Sequence, residues 1–106
     1  MIVTTTEKVA GHRTVESLGQ VFGVVVRSRG IGGNIMASMR TFVGGEIVEM
    51  SVLVEETRRQ AMDRLIRNAA AMGANAIVMM RFDSGSIGQM MNEVVAYGTA
   101  VRIEPE

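Results

Sequence analysis

The residues able to do chemistry in this chain are few and scattered. His12 is the single imidazole among 106 residues, with Glu7 upstream and Glu46, Glu49, Glu55 and Glu56 further along. A divalent cation needs three or more nitrogen or oxygen ligands converging on one point, so His12, Glu46 and Glu49 form the candidate metal set. One chain hardly supplies such convergence. The competing reading is a surface histidine and solvated glutamates.

A second candidate is the run Arg27-Ser28-Arg29-Gly30-Ile31-Gly32-Gly33-Asn34, with Arg40 not far beyond. It leads from a strand-like segment towards a helix N-terminus at Asn34. Glycine-freed amides, a positive helix end and guanidinium forks are the physics of an anion site. The candidate ligand residues are therefore Arg27, Arg29, Gly30, Gly32, Gly33, Asn34 and Arg40, and the expected ligand is a small phosphorylated or carboxylated molecule. The run lacks the Gly-Lys-Ser/Thr ending of a phosphate loop and the spacing of a dinucleotide fingerprint. Its competitor is a loop whose glycines merely permit a turn.

The ten methionines raise soft-metal binding through Met36, Met39, Met79-Met80 and Met90-Met91. Adjacent residues of a strand point to opposite faces, so neither doublet is a chelate. Gap-filling in the core is the stronger reading, with Met90-Met91 an adaptable contact surface near a turn.

Catalysis finds less to work with. There is no cysteine, lysine occurs once at Lys8, and His12 has no Ser and Asp constellation around it. Glu55 and Glu56 are neighbours on a helix and diverge, so they do not flank a substrate. Tyr97 and Thr99 on one strand face read as ordinary sheet packing. The expectation is a non-enzymatic protein, with no cofactor identified.

The elements that must position these residues follow from composition and periodicity. At 47% hydrophobic residues the chain supports one domain over residues 1–106. Eleven basic residues balance eleven acidic ones, which disfavours generic nucleic-acid binding. Four aromatic rings are too few for a stacking platform. The N-terminus lacks signal-peptide character and no apolar run is long enough to cross a bilayer, so a cytoplasmic protein without membrane contact is expected.

Ile2 to Thr5 is β-prone, and Val21 to Arg27 reads as a buried strand rich in β-branched residues. Asn34 caps a short helix carrying Ile35, Met36, Met39, Phe42 and Val43, which Gly44-Gly45 ends. Apolar residues from Ile47 through Val54, Ala61, Leu65 and Ala69 to Met72 recur at helical spacing, predicting the main helix over 46–72. On its other face Glu55 with Arg59, and Asp63 with Arg67, stand four apart like a solvated surface. Gly73 occupies a left-handed C-cap position. Residues 76–82 and 92–103 then read as an antiparallel hairpin turning at Asp83-Ser84-Gly85-Ser86. Along the last strand Val94, Ala96, Gly98 and Ala100 share one small-residue face, suited to a closely packed helix or a neighbouring subunit. Val95, Tyr97, Thr99, Val101 and Ile103 share the other.

Several stretches together resemble the YbjQ-like family of heavy-metal-binding domains, related in fold to dodecin subunits. They are Thr4-Thr5, Gly11, Val43-Gly44-Gly45-Glu46, Arg58, Ala61 and Ala69-x-x-x-Gly73-Ala74-Asn75-Ala76-Ile77-Val78, with Arg81-Phe82 and Ala96-Tyr97-Gly98-Thr99-Ala100-Val101. The resemblance implies a β-α-β-β arrangement and a ring-shaped homo-oligomer, a pentamer in which neighbouring strands build a central barrel. In such a ring symmetry would bring copies of one carboxylate around an axis. The family usually carries aspartate where this chain has Asn75, which bears on any charge-dependent metal role there.

The reading is therefore an α+β domain, a mixed or mainly antiparallel sheet covered on one side by a long helix and assembled through its exposed edges. Its function is either a ring that binds a metal ion or a small anion, or a structural scaffold that recruits a protein partner.

Overall fold

The computed structural model describes residues 1–28, 42–43 and 46–106, with backbone alone for 42–50. Strands β1 (Ile2–Val3), β2 (His12–Ser28), β5 (Ala76–Ile87) and β6 (Met91–Pro105) form one sheet in the order β1-β5-β6-β2. β1 runs parallel to β5 and the other pairs are antiparallel, so the sheet is mixed, as expected. Two short strands, β3 (Phe42–Val43) and β4 (Glu46–Ile47), pair with each other ahead of helix α1 (Val48–Ala71). The anticipated β-α-β-β frame is present with β1 and the β3–β4 ladder added to it.

Helix α1 lies on one face of the sheet. Ala61, Leu65 and Ala69 are fully buried against Val21, Val25, Ile77, Met80, Ala96 and Ala100. Small residues make this approach possible. A Cβ on Gly23 would stand 2.2 Å from the Ala61 carbonyl oxygen and 2.4 Å from the Leu65 nitrogen, so the helix backbone rests directly on the strand. The expectation that Ala96, Gly98 and Ala100 are buried holds for all three.

The helix ends where Gly73 takes φ +88°. The Ala74 and Gly73 amides donate to the Ala69 and Ala70 carbonyls at 3.1 and 3.0 Å, the paired bonds of a Schellman cap. Arg102 adds a 2.7 Å bond to the Gly73 carbonyl.

Other expectations need correction. Phe42 and Val43 are a strand and not the end of a helix, while the glycines proposed to end that helix lie outside the described residues. Glu46 and Ile47 also belong to that ladder, so α1 begins at Val48; the β-branched character of this stretch favours pairing over a first helical turn. Val54, expected on the buried stripe, is exposed because it precedes the part of α1 that meets the core. Arg59 pairs with Glu56, at 3.8 Å, rather than with Glu55.

The hairpin turns at Gly88-Gln89-Met90 and not at Asp83–Ser86, which pair with Val95 to Asn92 in the ladder. Gly88, at φ +62°, is the left-handed first residue of this three-residue loop. Finally, β2 is a terminal strand with one buried side. Val21, Gly23 and Val25 face α1, while Phe22, Val24 and Val26 are exposed.

Candidate functional site

Arg27, the described member of the proposed anion loop, is already engaged. Its Nε donates to Thr57 Oγ1 at 2.8 Å and its Nη2 to Gln60 Oε1 at 3.1 Å. Thr57, buried on α1, donates its own hydroxyl hydrogen bond to the Leu53 carbonyl at 2.8 Å. The chain of donors latches the end of β2 to the helix. Arg29, Gly30, Gly32, Gly33, Asn34 and Arg40 lie outside the described residues.

His12 opens β2 at the opposite end of the molecule. Its Nδ1 lies 2.9 Å from the Ala10 carbonyl, which can only accept, so Nδ1 carries a hydrogen and donates. An Nδ1–H held by a carbonyl is also the outer bond that orients a metal-ligating imidazole. Its proposed companions are far away: Arg27 stands about fifteen residues along the same strand, roughly 45–50 Å at an extended rise. The backbone of Glu46 and Glu49 lies beyond that end, since α1 begins N-terminal to Thr57. Within one chain the three do not meet. No group of three imidazole or carboxylate side chains suited to a metal occurs among the described residues.

Asn75 has a role that the sequence did not reveal. Its Nδ2 donates to the Ile103 carbonyl at 2.9 Å and its Oδ1 accepts from the Ile103 amide at 2.8 Å. The side-chain amide thus acts as one more rung of the sheet, joining the helix–strand junction to the end of β6. A carboxylate could accept the amide proton but would face the carbonyl with a lone pair. The asparagine amide therefore matches both main-chain groups of Ile103.

The sequence reading also missed a cleft of about 330 Å³ between the outer edge of β2 and α1, lined by Phe22, Val24, Arg64, Arg67 and Asn68. On a terminal strand alternate residues turn their peptide groups away from the sheet. At Phe22 and Val24 those carbonyls accept from the helix, Asn68 Nδ2 at 2.7 Å and Arg64 Nη1 at 2.6 Å. The spacing Arg64-x-x-Arg67-Asn68 was the available signal. Of these three, Arg67 alone enters the sequence reading, as the partner of Asp63 on the solvated helix face.

The remaining surface of note is the sheet face turned away from α1. At one end Ala76, Val78, Val101 and Ile103 are buried there beneath Val9. Towards the hairpin the cover stops, leaving Phe22 and Val26 each 49% exposed beside Tyr97 at 38%. Phe22 and Tyr97 are direct cross-strand partners. The hairpin end adds exposed Ile87, Met90 and Met91.

Known proteins share this chain's design over nearly its full length. The UPF0145 protein of Bradyrhizobium sp. (strain ORS 278) is 70% identical over 105 residues, covering 99% of this chain and 95% of the relative. Archaeal UPF0145 proteins are also similar: that of Saccharolobus islandicus is 52% identical, covering 97% of this chain and 90% of its own. That of Methanocella arvoryzae is 51% identical, covering 100% and 88%. In fold, the chain superposes with TM-score 0.65 on a crystal structure of a DUF74-family protein of unknown function from Pediococcus pentosaceus, at 15% identity and 98% coverage of both chains. No described helix is long and apolar enough to cross a membrane. Residues 1–104 match the family model YbjQ_1, described as "Putative heavy-metal-binding", and the chain belongs to that family.

Proposed function

We propose that this protein is a non-enzymatic, cytoplasmic subunit of a homo-oligomeric ring, a pentamer, whose assembled form binds a small ligand or ion. The observation that carries the reading is the open sheet face. Phe22, Val24, Val26 and Tyr97 form a contiguous apolar surface on a face that the chain's own N-terminal segment covers only at its other end. Apolar patches of this kind mark contact sites.

Assembly also bears on the family's metal description. His12 and the Glu46–Glu49 segment lie at opposite ends of one chain, so a head-to-tail arrangement of subunits is the way for them to approach one another. The scaffold alternative rests on a different observation. Ile87, Met90 and Met91 stand exposed at the hairpin end, beyond the part of the sheet that the core clusters occupy. Flexible methionines at an exposed end suit an adaptable partner surface.

Native mass spectrometry of the untagged protein tests the assembly. The expected spectrum is a single closed oligomer for the wild type and monomer for Phe22→Glu. A wild-type monomer at micromolar concentration overturns the reading. A stoichiometric extra mass on the ring would identify the ligand class, and a bare ring would favour the scaffold.

A further inference from the structure

We infer that the cleft between the outer edge of β2 and α1 binds a small organic anion, a carboxylate or phosphate ester on a compact apolar body. The lining divides by chemistry. Phe22 and Val24 border the cleft at the strand edge as its apolar side, exposed by 49% and 38%, while Arg64, Arg67 and Asn68 supply donors from α1, with no carboxylate among the five. A volume near 330 Å³ is at the lower end of the range for ligand sites, which fits a body of about one ring.

The donors are held in place. Arg64 and Asn68 each spend one N–H on a main-chain carbonyl of β2, which fixes their side chains and leaves further N–H groups unspent. Such preorganisation lowers the ordering cost of binding. A simpler account is that both residues only shield a terminal strand from strand addition. It explains their bonds to Val24 and Phe22 but leaves Arg67 without a purpose. Among the described residues Arg67 has no hydrogen bond or ion pair, although Asp63 lies one turn away on the same helix. The occupied carbonyls also weigh against an added peptide strand as the occupant, because a strand would need those acceptors. A small amphipathic anion needs only the free guanidinium donors and the apolar side.

Phenyl phosphate is a suitable probe, titrated into the isotope-labelled full-length protein and followed by amide NMR, with native mass recorded on each sample. The expected result is saturable shifts centred on Phe22, Val24 and Asn68. Inorganic phosphate, which lacks the apolar body, and phenol, which lacks the charge, should each bind at least about tenfold more weakly. Arg67→Ala should raise the Kd about tenfold or more, the loss expected for one charge-assisted contact, whereas Arg58→Ala, which stacks 5.3 Å from the Phe82 ring, should change it less than twofold. Shifts that fail to saturate, that centre elsewhere, or that are indifferent to Arg67→Ala overturn the site. Binding retained by a monomeric sample supports the site while overturning the ring. An intact ring without saturable binding does the reverse.

Discussion

The two faces of β2 and β6 are made by the same short stretches of chain, yet they are built to different rules. Facing α1 are Val21, Gly23, Val25, Ala96 and Ala100, mostly small and all buried. Facing away are two large rings, Phe22 and Tyr97, with Val24 and Val26, all exposed. Alternation puts apolar residues on both faces, and residue size separates their uses. Small side chains let a helix backbone rest on the sheet, whereas larger ones left in water have surface still to bury. The comparison teaches that the inner face is filled by the chain's own helix, while the outer face stands exposed at Phe22, Val24, Val26 and Tyr97.

The most severe way to break this contrast is Gly23→Ala. Its Cβ would meet helix backbone at 2.2 Å, which no side-chain rotation can relieve, so α1 must shift as a body. A loss of about 3 kcal/mol or more is expected, read as a lowered urea midpoint at unchanged slope. An unchanged midpoint would mean that the helix is not seated where it is described. Next in size is Asn75→Asp at the junction that serves both faces. It leaves the Ile103 carbonyl without its donor and should cost about 1–3 kcal/mol, whereas Asn75→Gln tests whether reach matters as well as chemistry. Phe22→Glu sharpens the contrast from the other side. At equal subunit concentration in urea, the isolated subunit should lose less than about 1 kcal/mol, because exposed positions contribute little to the fold. A destabilisation matching Gly23→Ala would show that the outer face belongs to the chain's own core.

Much of the frame was legible because its signals are local. Gly73 in a left-handed cap and the helical recurrence of Ala61, Leu65 and Ala69 each follow from a few neighbouring residues. The alternating faces of β6 were equally plain. The lengths of β2 and of the hairpin were not. Residues 12–20 carry little alternation of their own and are strand because β6 pairs with them, a tertiary cause. Asp83 to Ser86 have turn chemistry, yet the ladder carries through them to Gly88. The site residues divide in the same way. Arg27 was visible as a cation, but its partners Thr57 and Gln60 are thirty residues distant and appear only once α1 is docked. The pairing of Asn75 with Ile103 and the cleft at Arg64 and Arg67 are likewise made by contacts between segments far apart in the chain.

The one-residue irregularity of β5 lies at Met79. Met79 has φ 55°, unusual for a residue with a side chain, and the pairing register slips between Val78 and Arg81. Ile77 lies in the core against α1, and so does Met80, three positions on, where strict alternation would send Met80 to the opposite face. The extra residue behaves like an inserted letter that keeps the rest of a message in frame. Straightening the strand with Met79 still in it would be a conformational frameshift. Every side chain from Met80 to the hairpin would then change sides, and the sheet would present Met80 and Phe82 to the face now left open, whereas deleting Met79 would set Met80 opposite Gly98 and keep the rest of β5 in its present alternation.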